Sequence, residues 1–139
     1  LEDEAEALPR LYLATLQALA YGTRHIVEAM NAAGHRIERI VMCGGGTKNP
    51  LLLREQVDAL GMPIHLVADE DAVTLGAGLL AAVASGAFAD VASAACAMVR
   101  PGGVIEPNPA RRAFHDAKYG VFLTLYDQQK AARDAMAAV

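Results

Sequence analysis

Large apolar side chains recur along the first third of the chain at spacings of three and four residues or their multiples. Leu8, Leu11, Tyr12, Leu16, Leu19, Val27 and Met30 mark a long helix over residues 3–33. Asp3 and Glu6 suit the positive start of that helix, and Gly34 suits its left-handed end. The pattern then changes. Residues 37–43, IERIVMC, form an apolar run rich in β-branched residues after Arg39, which reads as a buried strand. Three glycines, Gly44, Gly45 and Gly46, make a turn with Thr47 and Lys48. Asn49-Pro50 then opens a helix, with Asn as its cap and Pro at its first position, running to Leu60 and stopping at Gly61. Residues 63–67, PIHLV, read as a second strand. Strand, helix and strand in this order predict one right-handed parallel βαβ unit.

Further on, Asp69, Glu70 and Asp71 precede a third helix that ends near Gly86, and Asp90 suits the cap of a short fourth. Residues 100–109, RPGGVIEPNP, read as a loop or a short extended segment. Asn108-Pro109 repeats the Asn-Pro helix start, and the last helix runs towards Ala137. Five helices with two strands are unbalanced for a layered α/β domain. More strands come from chain outside this sequence or from a partner, or a helix is misassigned.

The composition adds boundaries. The 139 residues suit one domain, 54% hydrophobic and 20% charged, as in folded soluble chains. A net charge of −4 without a basic stripe speaks against nucleic acid as partner. No apolar run approaches the ~20 residues a membrane span needs. The acidic start, LEDEAEALPR, does not resemble a signal peptide, and the missing initial Met suggests a fragment. Cys43 and Cys96 form no CxxC pair and read as buried thiols in a reducing, cytoplasmic setting. His25, His35, His65 and His115 share no metal-ligand spacing. The acidic run 69–71 is better read as a helix start than as a Mg²⁺ site. Arg111-Arg112 reads as a solvated pair, and no GxSxG context marks a serine nucleophile.

The glycine turn is the place for chemistry. Glycines permit a sharp bend and close approach of a ligand to the backbone, and the following helix start offers N–H groups and partial positive charge. It is neither a P-loop nor a dinucleotide fingerprint, because GxxxxGK[ST] and GxGxxG are both unmet. On residues alone, a plain glycine-rich βα turn with an Asn cap stays open beside a ligand site.

The segment GGGTKNPLLLREQVDALGMPI resembles the adenosine segment of FGGY carbohydrate kinases, within the actin-like, hexokinase and Hsp70 superfamily. The positions that carry the likeness are Gly44, Gly45, Gly46, Asn49, Gln56 and Asp58. A second block, DEDAVTLGAGLLAAVASG, resembles the family's following helix through Leu75, Gly76, Ala77, Leu79 and Ala81, with Asp71 where Glu is commoner and Gly78 where Ala is commoner. The segment from Val104 to Phe122 resembles the family's late strand, EP-x-P turn and terminal helix, and Leu125-Tyr126 fits the end of that helix. The resemblance implies an α/β, ribonuclease-H-like (actin-like ATPase) C-terminal half-domain, helix-rich with a short parallel βαβ unit. It implies that residues 1–139 are the C-terminal nucleotide-binding part of a kinase that phosphorylates a sugar or polyol hydroxyl. The segment around residues 72–86 looks most like members acting on ribulose or related pentuloses.

By the same resemblance ATP and Mg²⁺ are the cofactors, ATP or ADP and a small sugar are the partners, and a homodimer stays open. Gly44 and Gly45 would meet the nucleotide, with Gly46 in the same turn, and Asn49 would reach the adenine. Gln56 would face the cleft or serve a solvated or capping role, and Lys48 would near a phosphate or lie in solvent. Gly76 and Gly78 suit close packing. The catalytic Asp and the sugar contacts would lie earlier in the family's chain, so none is expected here and no metal ligand either. The alternative is a non-catalytic nucleotide-binding or interaction module of an actin-like ATPase fold. As a fragment, the chain is expected to show an uncovered apolar face or an unpartnered sheet edge.

Overall fold

The computed structural model describes residues 4–69 and 71–137. Helix α1 spans Glu4–Ala32 and is followed by strand β1, Ile40–Met42. A 3-10 turn over Gly45–Lys48 leads into α2, Pro50–Leu60, and then β2, Ile64–Val67. Helices α3, Ala72–Ala84, and α4, Val91–Met98, precede β3, Pro101–Ile105. A second 3-10 turn, Pro109–Arg111, opens α5, Arg112–Ala137. The expected Asp3 start of α1 and Glu70 lie outside the described residues.

The βαβ unit is present: β1 and β2 pair in parallel, Ile40 opposite Ile64 and Met42 opposite Leu66. The segment read as loop or extended chain is a third strand. Strand β3 runs antiparallel to β2, with Ile64 opposite Ile105 and His65 opposite Val104, so the sheet is mixed, in the order β1-β2-β3. Its glycines disguised it, and one of them sits at a close approach. A Cβ at Gly102 would stand 3.0 Å from the Leu66 carbonyl oxygen, tighter than nearly all such contacts, so β2 would have to give way to a side chain there. The predicted strand 37–43 shrinks to residues 40–42. The Ile37 N–H is taken by the Asn31 side chain at 2.8 Å, not by a strand.

Caps set the helix boundaries. The Asn49 side chain accepts from the N–H groups of Leu51 and Leu52, and Gly61 closes α2 in the left-handed conformation. Asp71 caps α3 through Thr74, whose backbone and side-chain bonds hold the carboxyl below its usual pKa. Asp90 and Ser93 form a capping box on α4.

The core lies between α1, α2 and α5, and much of it is polar. Of the seven apolar residues expected on one stripe of α1, Leu16 is the buried one, whereas Leu8 is 75% exposed. The inward stripe is instead Leu16, Gln17, Ala20, Tyr21 and Arg24, facing two carboxylates of α2. Glu55 and Asp58 are each 1% exposed. Arg111 contacts both, Glu55 at 2.8 Å and Asp58 at 3.4 Å. Gln17 donates to Glu55 at 2.8 Å and accepts from Lys118, and the Asn108 N–H donates to Asp58 at 2.8 Å.

His115 is fully buried beside this pair. Burial first, and then the Arg111 charge, push its pKa down, so its ring is neutral. Burial and the Glu55 charge push the Tyr21 pKa up, so the phenol keeps its proton, and its oxygen pairs with His115 Nδ1 at 3.1 Å. A second clamp closes the other end. Arg24 donates to Asp116 at 2.7 Å and to the Ala59 carbonyl, and lies 4.2 Å over the Tyr119 ring. Burial and a bond to Glu28 push the Tyr119 hydroxyl up to about 12.

The expected solvated pair Arg111-Arg112 is therefore corrected. Arg111 neutralises buried carboxylates, and Arg112 pairs with Asp116 at 2.9 Å. The cysteines are corrected too: both are exposed, Cys43 just after β1 and Cys96 on α4. A Cβ at Gly78 would meet only the end of the Met98 side chain, at 3.9 Å, and one at Gly76 would meet nothing within 4 Å, so among the described residues neither glycine shows the expected close approach. Helix α3 buries none of its side chains, with Val73 82% exposed, and β1 forms one edge of the sheet.

Two tests follow from this core. Arg111→Met leaves Glu55 and Asp58 short of a counter-charge and should cost about 3 kcal/mol, the low end for a broken buried pair because Arg111 is partly exposed. Arg112→Met loses only half-exposed contacts and should cost under about 1 kcal/mol. Denaturant unfolding of the two variants compares them, and equal losses would contradict the clamp. His115 has a folded pKa below its ordinary 6.5, so the unfolded chain takes up the proton first as pH falls. Its contribution is complete above that value and lost as pH falls through the folded pKa. The melting temperature should therefore decline as pH falls below about 6.5, and His115→Gln should flatten that decline; a wild-type slope in the variant refutes it.

Candidate functional site

Strand β1 delivers the chain into Cys43 and Gly44, which has φ 84° and ψ −169°. That left-handed backbone is where a side chain is strained, so the bend depends on Gly44. The 3-10 turn follows, tied by Thr47, whose N–H and hydroxyl both donate to the Gly44 carbonyl at 3.1 and 2.7 Å. The Asn49 N–H donates to the Gly46 carbonyl at 3.2 Å, and α2 begins.

A Cβ at Gly44 or Gly45 would meet nothing within 4 Å, so this flank of the turn is open surface. Gly46 faces inward instead, where a Cβ would touch Leu52 and Met42 at 3.5 Å. The structure thus brings Gly44, Gly45 and Asn49 together around one exposed bend, with Gly46 as its inner side. Gln56 does not join them. It is 7% exposed on the packed side of α2, about 10 Å along the helix axis from Asn49 at 1.5 Å per residue.

The Asn49 carboxamide is held at both ends. Its oxygen accepts from Leu51 and Leu52, both at 3.1 Å. Its nitrogen donates to the Tyr12 hydroxyl of α1 at 2.7 Å. Sequence reasoning placed Tyr12 on an apolar stripe and missed this contact. The signal available was a polar-tipped aromatic among leucines, which is too common to single out.

The acidic segment before α3 does not gather a metal site. Asp71 is a cap, and Asp69 pairs with Arg100 at 3.3 Å. Among the described residues no group of three or more His, Cys, Asp or Glu could hold a metal ion. An open groove of about 500 Å³ lies elsewhere, on the sheet face of Val41, His65 and Val104 beside α4, and excludes the glycine turn. Among the described residues, no helix is long and apolar enough to cross a membrane.

Comparison with known proteins places this architecture. The fold is that of the actin-like ATPases. The crystal structure of xylulose kinase from Rhodospirillum rubrum matches with a TM-score of 0.66 at 30% identity, over 84% of this chain and 24% of that one. A family model described as FGGY family of carbohydrate kinases, C-terminal domain, matches residues 1–85. An FGGY carbohydrate kinase domain-containing protein from Homo sapiens is 45% identical over 130 residues, 94% of this chain and 24% of that protein. A ribulokinase from Mycolicibacterium smegmatis is 38% identical over 84% of this chain and 21% of that protein. The chain belongs to the FGGY family of carbohydrate kinases. It spans about a quarter of the length of these relatives.

The two exposed glycines should separate under substitution. Gly44→Ala forces a side chain into the left-handed region and should cost about 1–2 kcal/mol of stability. Gly45 has no such φ and open space at its Cβ, so Gly45→Ala should leave stability within about 0.5 kcal/mol. The positive φ of this turn belongs to Gly44 and not to Gly45. Chemical denaturation of both variants decides it; a Gly45→Ala variant as unstable as Gly44→Ala would contradict the open turn.

Proposed function

We propose that this chain supplies the adenosine-binding side of the cleft in a kinase that transfers the γ-phosphoryl group of ATP to a hydroxyl of a sugar or polyol. The observation that carries the reading is the open bend at Gly44 and Gly45, set against a capped helix start within the segment matched by the family model. Backbone without side chains lets a nucleotide approach, and the N-terminal dipole of α2 favours the negative charge it carries. A pentulose is the favoured acceptor, because relatives named ribulokinase and xylulose kinase align over most of the chain.

Phosphoryl transfer needs a base beside the acceptor hydroxyl and charge compensation on the phosphates. Neither is assigned to this chain, whose role is to bind and orient the nucleotide. Mg²⁺ would travel with the ATP phosphates, and the described residues offer it no ligand set. The exposed apolar residues of α1 and α3 would pack against the remainder of the protein.

Asn49→Ser tests the site in the full-length protein. Serine caps a helix as well as asparagine does but lacks the carboxamide N–H. The variant should keep its melting temperature and raise the ATP KM about tenfold or more, with the sugar KM unchanged, in a coupled assay with ribulose, xylulose or glycerol as acceptor. A wild-type ATP KM in the folded variant would remove Asn49 from the site.

A further inference from the structure

We infer that Tyr12 is a nucleotide-positioning residue, its hydroxyl fixing the Asn49 carboxamide so that the pair presents hydrogen-bond donors to the bound base. The inference rests on the nucleotide-site reading above. It begins from the inventory of one side chain. An asparagine oxygen has two acceptor sites, and its nitrogen has two N–H groups. At Asn49 both acceptor sites face helix N–H groups, those of Leu51 and Leu52. That fixes which end of the amide is oxygen, because the NH₂ end cannot pair with two donors. One N–H goes to Tyr12 at 2.7 Å. What remains for a ligand is the second N–H.

Tyr12 changes the picture again. Its oxygen accepts from Asn49, which leaves its own O–H to donate. Asn49 and Tyr12 together therefore offer two donors, not the donor–acceptor pair a free carboxamide would present. Their complement is an acceptor edge, such as a purine ring nitrogen with a neighbouring ring nitrogen or ribose oxygen. An adenine 6-amino group finds no acceptor at Asn49.

The contact is not needed to hold α1 on α2. The buried Gln17–Glu55 bond and the packing of Ala20 and Tyr21 against Ala59 do that. Tyr12 is 51% exposed and lies at the outer end of the interface, beside the bend. A hydroxyl kept at an exposed tip, bonded to the helix cap beside the glycine turn, is placed to set geometry more than stability.

The experiment uses the full-length protein with Tyr12→Phe, Asn49→Ser and the double variant, reading ATP KM, kcat, sugar KM and melting temperature. Tyr12→Phe keeps the ring and removes only the hydroxyl. It should raise the ATP KM about threefold to tenfold, with sugar KM, kcat and melting temperature held. The double variant should lose less than the product of the two single losses, because Tyr12 acts largely through Asn49. A wild-type ATP KM for Tyr12→Phe beside an impaired Asn49→Ser overturns the positioning role alone. So does a double-variant loss equal to the product of the two single losses, or a Tyr12→Phe effect that moves sugar KM and melting temperature equally. A wild-type ATP KM for Asn49→Ser overturns both this inference and the site on which it rests.

Discussion

Two carboxylates buried on one short helix govern how this chain is assembled. Glu55 and Asp58 lie three residues apart on α2, both out of reach of water. Burying an unpaired carboxylate costs several kcal/mol, so the fold must bring partners to them. It brings Arg111 and the backbone N–H of Asn108 from the turn before α5, and Gln17 from α1. Two segments distant in sequence thereby meet on α2. The same helix begins at Asn49, so the constraint that seats α2 also fixes where the glycine bend stands and which way it faces.

The neutral and charged members of this core are distributed by environment. His115, inside, is held neutral by burial, while Arg24 and Arg111, nearer the rim, keep their charge and pair with it. A protonated His115 would add charge where Arg111 already sits. Removing a positive group from the rim or adding one inside disturbs the same balance from opposite directions.

Local signals were legible in the sequence, and long-range ones were not. Asn49-Pro50 with Gly61, Asp71 and Asp90 announced their helices because a cap is a matter of one side chain and the next three N–H groups. Strand β3 was obscured by Gly102-Gly103, whose reason is the nearness of β2, a fact about tertiary structure. Arg111 looked solvated because its carboxylates are more than fifty residues away. The stripe on α1 misled for a related reason: its leucines keep the helical period, but the face turned to α2 carries Gln17 and Arg24 beside Ala20 and Tyr21. At the candidate site the glycines and Asn49 were readable as residue types. The contact that holds the amide nitrogen was not, since it comes from Tyr12, thirty-seven residues earlier.

The proposed role of the bend at Gly44 and Gly45 is to receive the nucleoside of ATP. A crystal structure of the full-length protein with ADP would decide it. Adenosine should lie over Gly44 and Gly45, with the free N–H of Asn49 directed at a ring nitrogen or ribose oxygen and the Tyr12 bond intact. Adenosine bound elsewhere, with the glycine bend untouched and Asn49 serving only as a helix cap, would contradict it.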